Sequence, residues 1–302
     1  LAIPVIVGQK SPGEKFPGAV TTYALEAMMQ DGKALQMGTS HHLGQNFARS
    51  NQIRFSDPDG NLEYVHTTSW GVTTRMIGGV IMIHSDDNGL RLPPRIATKQ
   101  IAILPILIKP EHNAQVMEAV KEVEQLLSQT MYADDRLRVT VDSRDLRGGE
   151  KKWEWIKKGI PLRLEIGPRD VEEGVVSVYR RDRAQNACER IPKADLSEYV
   201  QKTLAEIQQN YYEEALSNRN ARFEESITDF EELKQYFAEE NEESGQRGFV
   251  RAKWCGDPES EKRLEALKVS IRVLPLDQSS KPGKCVLTGK PGTIDVLIAR
   301  SY

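Results

Sequence analysis

The chain has 302 residues, of which 39% are hydrophobic and 28% charged, with a formal net charge of −3. This length allows two or three domains, and this balance is typical of a globular protein. No apolar run approaches the roughly 20 residues of a membrane span, and three scattered cysteines are no disulfide framework, so we expect a cytoplasmic protein without membrane contact.

The first block, residues 1–98, mixes short strand-like runs with loops rich in Gly, Thr, Ser and His. Residues 56–60, Ser-Asp-Pro-Asp-Gly, predict a turn between two strands. The apolar run 76–84 contains two adjacent glycines and suits either a closely packed helix or a buried strand. Because glycine is a poor former of both, close approach of another backbone is its expected role.

The second block, residues 99–190, alternates strand and helix patterns. Residues 101–108 form an isoleucine-rich run typical of a strand buried on both faces, and helical spacing follows. A short helix is predicted over 149–158 and a strand over 162–166. This order predicts βαβ crossovers and a parallel or mixed sheet. The predicted core residues are Ile101, Ile103, Leu107, Val139, Val141, Leu164 and Ile166.

The third block, residues 191–302, begins with acidic helical stretches and continues with short strand candidates, which predicts a small α+β domain. Residues 239–245 are predicted to form a mobile surface loop. Charge is unevenly distributed along the chain. Residues 144–169 hold eight Lys and Arg against four Asp and Glu, whereas 203–243 hold three against twelve. The first stretch suits phosphates and the second repels them, although either is compatible with a solvated face.

Three polar runs of the first block carry candidate chemistry. Residues 36–47 combine small and hydrogen-bonding side chains around Gly-Thr-Ser-His, a composition that also suits an ordinary turn. Residues 67–75 join an aromatic ring, hydroxyls and an arginine. Residues 84–95 lead from a turn into Pro-Pro-Arg, where a rigidly held arginine suits an aromatic base or a phosphate.

In this order and spacing, the three runs resemble the catalytic core of prolyl-tRNA synthetases, a class II aminoacyl-tRNA synthetase family. Residues 89–95, Gly-Leu-Arg-Leu-Pro-Pro-Arg, resemble the third motif of that class. The resemblance implies a multidomain α/β and α+β protein. Its predicted domains are the C-terminal part of an antiparallel-sheet catalytic domain over 1–98, an anticodon-binding domain over 99–190, and a zinc-binding-like α+β domain over 191–302.

The resemblance also implies a proline–tRNA ligase that takes proline, ATP with Mg²⁺ and tRNA(Pro), and that forms a homodimer. The residues implied to bind proline are Thr39, His41, Trp70 and Gly71. Those implied to bind ATP are Gln36, Thr73, Arg75 and Arg95, of which Arg75 and Arg95 are the candidate catalytic residues. Those implied to bind tRNA are Arg144, Lys151, Lys152, Arg163 and Glu165. No acidic residue lies in the first two polar runs, so the acceptor for the ring NH₂⁺ of proline is expected elsewhere.

The chain departs from the family pattern in two ways. Where relatives carry paired zinc-binding cysteines, this chain pairs Cys255 with Ser260 and Cys285 with Thr288, so we expect no structural zinc. The first two class motifs do not occur in it, so we expect them upstream of Leu1 and predict no activity for the 302 residues alone. Tyr302, matching the family's C-terminal end, is expected to return to the first block.

Two other functions compete with a ligase. A free-standing RNA-binding module would use only the second block, but it has no use for residues 67–75 or for Arg95. A regulatory paralogue with an inactive site would be expected to lose motif residues that are present here.

Overall fold

A computed structural model describes residues 1–108, 110–238 and 247–302. The predicted mobile loop over 239–245 lies outside these residues. By its contacts, the described chain divides into two compact units. The first unit comprises Leu1–Ile3 and Val80–Ala215, and the second comprises Pro4–Gly79 and Leu216–Tyr302. In neither unit does a described helix have the length and apolarity to cross a bilayer.

The secondary structure is numbered in chain order. The strands are β1 (Ile6–Gln9), β2 (Thr21–Met28), β3 (Ala34–Gly44), β4 (Arg54–Ser56), β5 (Leu62–Tyr64), β6 (Thr67–Gly71), β7 (Ile101–Pro105), β8 (Met131–Tyr132), β9 (Asp135–Arg136), β10 (Val139–Val141), β11 (Leu162–Ile166), β12 (Val175–Arg180), β13 (Cys188–Pro192), β14 (Val250–Trp254), β15 (Ser270–Pro275), β16 (Gly283–Lys284), β17 (Pro291–Gly292) and β18 (Ile294–Ala299). The α-helices are α1 (Asn46–Ser50), α2 (Arg75–His84), α3 (Pro110–Gln129), α4 (Gly148–Lys157), α5 (Pro168–Glu173), α6 (Leu196–Ala221), α7 (Phe230–Ala238) and α8 (Pro258–Glu261). Short 3₁₀ turns occupy Lys193–Asp195 and Lys262–Leu267.

The first unit is built on a mixed sheet of strand order β10-β7-β11-β12-β13. Strands β10, β7 and β11 are parallel, and β12 and β13 continue the sheet antiparallel. The predicted mixed sheet with flanking helices is therefore confirmed. Apolar side chains of α3 and α6 belong to the same core as those of β7 and β11.

The predicted core of this unit needs one correction. Ile101, Ile103, Leu164 and Ile166 are buried, but Leu107 is 47% exposed. Strand β7 ends at Pro105, and after the Ile106 N–H donates to the Ile166 carbonyl at 2.9 Å the last residues of the isoleucine-rich run leave the sheet. Val139 and Val141, on the edge strand β10, are only partly buried and pack against the core.

The second unit is built on a seven-stranded antiparallel sheet of order β14-β18-β15-β1-β2-β3-β6. Strand β1 joins the two ends of the sequence, because Gly8 lies opposite Pro275 on β15 and Ala24 on β2. Strands from the first and third sequence blocks thus share one sheet, which residue patterns did not reveal. The proposed domain boundaries at 98 and 190 stay a prediction.

Buried charges hold β1, β2 and β15 together. The Lys10 ammonium lies 2.9 Å from Glu26 Oε1 and donates to the Arg272 carbonyl at 2.8 Å. Arg272 Nε donates to Glu26 Oε2 at 3.2 Å. These three side chains are at most 9% exposed, and Glu26 is fully buried. Such a cluster is stable only while every charge keeps its partner.

The glycine-rich run is a helix, α2, rather than a strand. A Cβ atom on Gly79 would lie 3.0 Å from the sulfur of Met37, so the glycine allows β3 to approach closely. The atoms that a Cβ on Gly79 would meet belong to side chains of β3, so the predicted close approach of another backbone is wrong at this position.

Candidate functional site

Strand pairing in the second unit sets the first candidate site. Thr39 on β3 lies opposite Gly71 on β6, and His41 lies opposite Ser69. Residues directly opposed in an antiparallel pair project from the same face of a sheet, and alternate residues of one strand share a face. Thr39, His41, Ser69 and Gly71 therefore occupy adjacent positions on one face, which we call the β3–β6 face.

The β3–β6 face has small side chains where a ligand would need room. A Cβ atom on Gly71 would come within 3.2 Å of Thr39 Oγ1, so any larger residue there would cover the hydroxyl group. Ser69 is exposed, and Thr39 and His41 are half-buried. The arrangement leaves hydroxyl and imidazole groups accessible at the end of the sheet.

Aromatic rings border this face beside His41. The Phe16 ring lies 4.7 Å from the His41 ring between centroids, and Phe47 stacks on Phe16 at 6.4 Å. His41 Nδ1 is 3.0 Å from the hydroxyl group of Thr22, which fixes the orientation of the imidazole. Phe16 and Phe47 remain 44% and 37% exposed. The result is an apolar wall next to polar groups, a combination typical of small-ligand sites.

Trp70 lies on the other face. It is opposite Ser40 and adjacent in sequence to Ser69 and Gly71, so strand alternation turns its side chain away from Thr39 and His41. Its side chain is 78% exposed. The role of Trp70 in proline binding stays a prediction, but the geometry favours Ser69 as the β6 side chain that lies beside Thr39 and His41. The alternation Thr67, Ser69, Gly71 within β6 was the signal that would have identified Ser69.

The other predicted ligand residues of the second unit lie near the ends of β3 and β6. Gln36 is half-buried and opposite Glu26. Glu26 is the acidic residue of this face, but both of its oxygens are engaged by Lys10 and Arg272, so it offers no accessible carboxylate. Thr73 and Arg75 are exposed, and the Thr73 hydroxyl accepts the Arg75 N–H at 3.2 Å, at the start of α2.

Arg95 belongs to the first unit. It is exposed, and its backbone N–H donates to the Gln208 side chain at 3.1 Å. It lines an open groove of about 550 Å³ together with residues of the β8–β9 hairpin and of α6, among them Tyr132 and Gln201. This volume lies within the range of small-molecule sites. Pro93 and Pro94, which precede it, are buried, and the rigid presentation of Arg95 stays a prediction.

Three predicted tRNA-binding residues lie around the start and middle of α4. The guanidinium group of Arg144 pairs with Asp142 at 2.7 Å and with Glu154 at 2.8 Å. Hydrogen bonds from Arg144 hold the pKa of Asp142 well below its usual range. Lys151 is only 7% exposed and donates to the Asp142 carbonyl at 3.1 Å, whereas Lys152 reaches the surface. The prediction did not anticipate that Lys151 is buried.

Arg163 and Glu165 lie side by side on β11. Arg163 Nε donates to Glu165 Oε1 at 2.9 Å, and the guanidinium group stacks on Tyr179 at 4.4 Å. Arg163 is 4% exposed, and its Nη2 has no hydrogen-bond partner among the described residues. It borders a cavity of about 20 Å³, enough for one water molecule. Lys152 lies 5.8 Å above the same tyrosine ring, so it is the accessible cation of this cluster.

The cysteine pair of the second unit does not fit a structural zinc ion. Cys255 Sγ is 3.6 Å from Thr288 Oγ1, and Cys285 is fully buried. The hydroxyl group of Ser260 already donates to the Asp257 carbonyl and accepts the indole N–H of Trp254. Among the residues that the structure describes, no three or more His, Cys, Asp or Glu side chains cluster as metal ligands. Two thiols and two engaged hydroxyls are not the donor set that zinc prefers.

Tyr302 contacts the first sequence block. Its phenolic oxygen hydrogen-bonds to Asp31, and its backbone N–H donates to the Ala34 carbonyl at 3.3 Å. The ammonium group of Lys33 lies 4.9 Å from its ring centroid. The prediction that this residue returns to the first block is confirmed. A place for it near the substrates stays a prediction.

Comparisons with known proteins agree along the whole chain. A family profile described as "Anticodon binding domain" matches residues 100–203, and one described as "Prolyl-tRNA synthetase, C-terminal" matches residues 237–302. The chain is 53% identical over 304 residues to a protein named proline--tRNA ligase from Protochlamydia amoebophila. It is 45% identical over 302 residues to proteins of the same name from Bdellovibrio bacteriovorus and Paramagnetospirillum magneticum. Each alignment covers 100% of this chain and 60% of the relative, so the chain spans about 60% of the length of these relatives.

Proposed function

We propose that this chain, which belongs to the prolyl-tRNA synthetase family, contributes the proline-binding face, an ATP-binding arginine and the tRNA-binding unit to a proline–tRNA ligase. The observation that carries the proposal is the β3–β6 face. There Thr39, His41 and Ser69 stand beside the exposed ring of Phe16. Proline has three ring methylenes and a charged amino acid head, and it needs such a pairing of an apolar wall with polar groups.

The proposed reaction has two steps. An oxygen of the proline carboxylate bonds to the α-phosphorus of ATP while the bond to the β-phosphate oxygen breaks, giving prolyl-adenylate and pyrophosphate. A hydroxyl group of the 3′-terminal adenosine of tRNA then attacks the prolyl carbonyl, and AMP leaves with the mixed-anhydride oxygen. In such chemistry a protein acts mainly by orienting the reactants and by stabilising phosphate charge.

Each residue has a proposed role in these steps. Thr39, His41, Ser69 and Gly71 would hold proline, and the exposed Arg75 would meet phosphate oxygens with its fixed charge. Gln36 and Thr73 would meet the nucleotide. Arg95 would stack on adenine, a use that suits its planar guanidinium group. Mg²⁺ would accompany ATP and neutralise phosphate charge.

The tRNA-binding role is proposed for the surface of α4 and β11. Lys152 and Arg144 are the accessible cations that would meet phosphates, and Glu165 would meet a base edge. The buried Lys151 and Arg163 would contribute indirectly, by holding Asp142 and Glu165 in position through hydrogen bonds. A homodimer in the cytoplasm, where ATP and tRNA are found, completes the proposal.

Proline-dependent ATP–pyrophosphate exchange by the complete protein tests this function. We expect exchange that needs proline and no tRNA, and charging of tRNA(Pro) when tRNA is added. Alanine in place of proline serves as the matched control substrate. Tight tRNA binding without any exchange would instead favour an RNA-binding module, and would contradict the proposal.

A further inference from the structure

Two arginines of the second unit lie over one tyrosine ring. The guanidinium carbon of Arg49 is 4.7 Å from the centroid of the Tyr64 ring, and that of Arg54 is 4.6 Å from it. Arg54 Nη2 also donates to the Tyr64 hydroxyl group at 2.6 Å, which lowers the pKa of that phenol. Arg49 belongs to α1, whereas Arg54 and Tyr64 are paired across the β4–β5 hairpin. We call these three residues the Tyr64 cluster.

The positive charge of the Tyr64 cluster is not neutralised by an ion pair with any carboxylate of the described residues. Arg49 Nη2 donates to Gln45 Oε1 at 2.8 Å, and Arg54 Nη2 donates to Gln52 Oε1 at 3.1 Å, so these partners are neutral. Within the described chain, the Nε and Nη1 donors of both guanidinium groups form no hydrogen bond. Because both groups lie over one ring, they are less than about 10 Å apart, within the Debye length at 0.1 M salt, and they repel each other. An anion would relieve this repulsion and occupy the open donors.

The acidic residues of the hairpin do not serve as that anion. Glu63 is opposite Phe55 and adjacent in sequence to Tyr64, so strand alternation turns its side chain away from the cluster. Asp57 holds the turn, since its carboxylate accepts the N–H groups of Asp59 and Asn61 at 2.9 and 2.7 Å. The Tyr64 cluster therefore keeps its charge for a partner outside the hairpin.

The Tyr64 cluster lies close to the β3–β6 face. Phe47 of α1 stacks on Phe16, which borders that face. Arg49 follows Phe47 by two residues on the same helix, so their Cα atoms are at most about 7.6 Å apart. Gln45 Nε2 donates to the Tyr64 carbonyl at 2.8 Å and ties the hairpin to the start of α1. A ligand strand held on the Tyr64 cluster therefore lies beside the proposed proline site.

We propose that the Tyr64 cluster binds the single-stranded 3′ end of the substrate tRNA and holds it beside the β3–β6 face. The inference rests on the proposed function, in which the 3′-terminal adenosine of tRNA must reach prolyl-adenylate. Single-stranded RNA is bound by positive charge together with aromatic rings and guanidinium planes, and this cluster combines all three. An acidic protein partner would meet the same charges but would gain nothing from their place beside the β3–β6 face.

The double variant Arg49→Gln, Arg54→Gln of the complete protein tests this site with two RNAs. One is full-length tRNA(Pro), and the other is a minihelix made of its acceptor stem and 3′ end alone. We expect the KM for both RNAs in charging to rise about tenfold, and the slope of log affinity against log salt in filter binding to fall by about one to two. Proline-dependent exchange without tRNA should change less than about twofold. Lys152→Ala, in contrast, should weaken binding of the full-length tRNA only.

Arg49→Lys, Arg54→Lys is the second variant, because it keeps both charges but loses the planar groups. It should retain the salt slope and show a smaller rise in KM for the minihelix. The matched control, Lys281→Gln with Lys284→Gln, removes two exposed charges near β14, at the other edge of the sheet, and should leave both KM values unchanged.

Three results would overturn the Tyr64 site. One is an unchanged KM for the minihelix in the Arg49→Gln, Arg54→Gln variant. Another is a loss seen with full-length tRNA alone, which would place the contact away from the 3′ end. The third is an equal loss in the lysine control, which would reduce the effect to net charge. Absence of proline-dependent exchange in the unsubstituted protein would instead contradict the proposed function.

Discussion

The β3–β6 face of the second unit and the basic surface of the first unit, formed by α4 and β11, are both candidate ligand sites. They differ in how accessible their polar side chains are. On the β3–β6 face, Ser69 is exposed and Thr39 and His41 are half-buried beside small or aromatic neighbours. On the basic surface, Lys151 and Arg163 are buried and bonded to protein groups. The type of a residue indicates that it could contact a ligand, but its burial and its hydrogen-bond partners within the protein determine whether a ligand can reach it.

The difference has a physical cause. Hydroxyl and imidazole groups lose little when half-buried near a sheet edge, but a buried ammonium or guanidinium group requires a partner. Basic residues of the first unit therefore form ion pairs with carboxylates: Arg144 pairs with Asp142, and Arg163 pairs with Glu165. These pairs neutralise positive charge that the sequence alone suggested was available for binding RNA.

Breaking the buried charge cluster of Lys10, Glu26 and Arg272 should have the largest effect. Glu26→Ala leaves Lys10 and Arg272 without their carboxylate, which should destabilise the second unit by about 3–5 kcal/mol. We expect the Tm to fall by about 10 °C in thermal unfolding followed by circular dichroism. Glu63→Ala, in the exposed hairpin strand β5, is the control. Equal Tm values for the two variants would show that the cluster does not stabilise the sheet.

Acid should destabilise the first unit through His84. Burial lowers the pKa of His84 from 6.5 to about 4, and its ring stacks on Tyr211 at 5.5 Å near Arg91 and Glu214. Between these two pKa values the unfolded chain binds a proton that the folded chain does not. Stability should therefore fall as the pH is lowered through this interval, by about 3 kcal/mol in total, and level off below it.

The measurement for His84 is Tm against pH. In His84→Gln the decline between pH 6.5 and 4 should be smaller than in the unsubstituted protein, and in the control His42→Gln, an exposed histidine, it should be unchanged. Parallel curves for His84→Gln and the unsubstituted protein would rule out this histidine as the source.

The two faces of β6 give a sharper test of the candidate pocket. Ser69→Ala should raise the KM for proline about tenfold, because it removes a hydroxyl group on the face shared with His41. Trp70→Ala should change this KM less than about twofold, because its ring lies on the other face. Steady-state exchange kinetics at saturating ATP measure both. A larger rise in the KM for proline in Trp70→Ala than in Ser69→Ala would show that Trp70, and not Ser69, contributes to the proline site.

The smallest expected effect concerns the two adjacent lysines of α4. Lys152→Ala should weaken tRNA binding about threefold and reduce the slope of log affinity against log salt by about one, as for one lost phosphate contact. Lys151→Met should leave that slope unchanged and lower the Tm, because its ammonium is bonded to the Asp142 carbonyl. Filter binding across a salt series separates the two. Equal slopes for both variants would mean that burial does not decide RNA contact here.

Much of the fold followed from residue patterns, because the strands β7 and β11 and the helices α4 and α6 carry strong apolar periodicity. The motifs likewise marked Thr39 and His41 before any geometry was known. Pairing between distant strands, such as β1 with β15, leaves no local signal, and neither do the partners of Lys151 and Arg163. Strand alternation within β6 determines the face on which Trp70 lies, so this feature follows from the sequence if residues 67–71 form a strand.

Proline KM in Thr39→Val tests the central claim most directly. The substitution replaces a hydroxyl group by a methyl group of similar size on the β3–β6 face, and Thr68→Val is its counterpart at an exposed position of β6 opposite His42. We predict that Thr39→Val raises the KM for proline about tenfold or more in ATP–pyrophosphate exchange, with Tm and the KM for ATP nearly unchanged, and that Thr68→Val changes none of these. Equal proline KM values for Thr39→Val and the unsubstituted, active protein would contradict a proline site on this face.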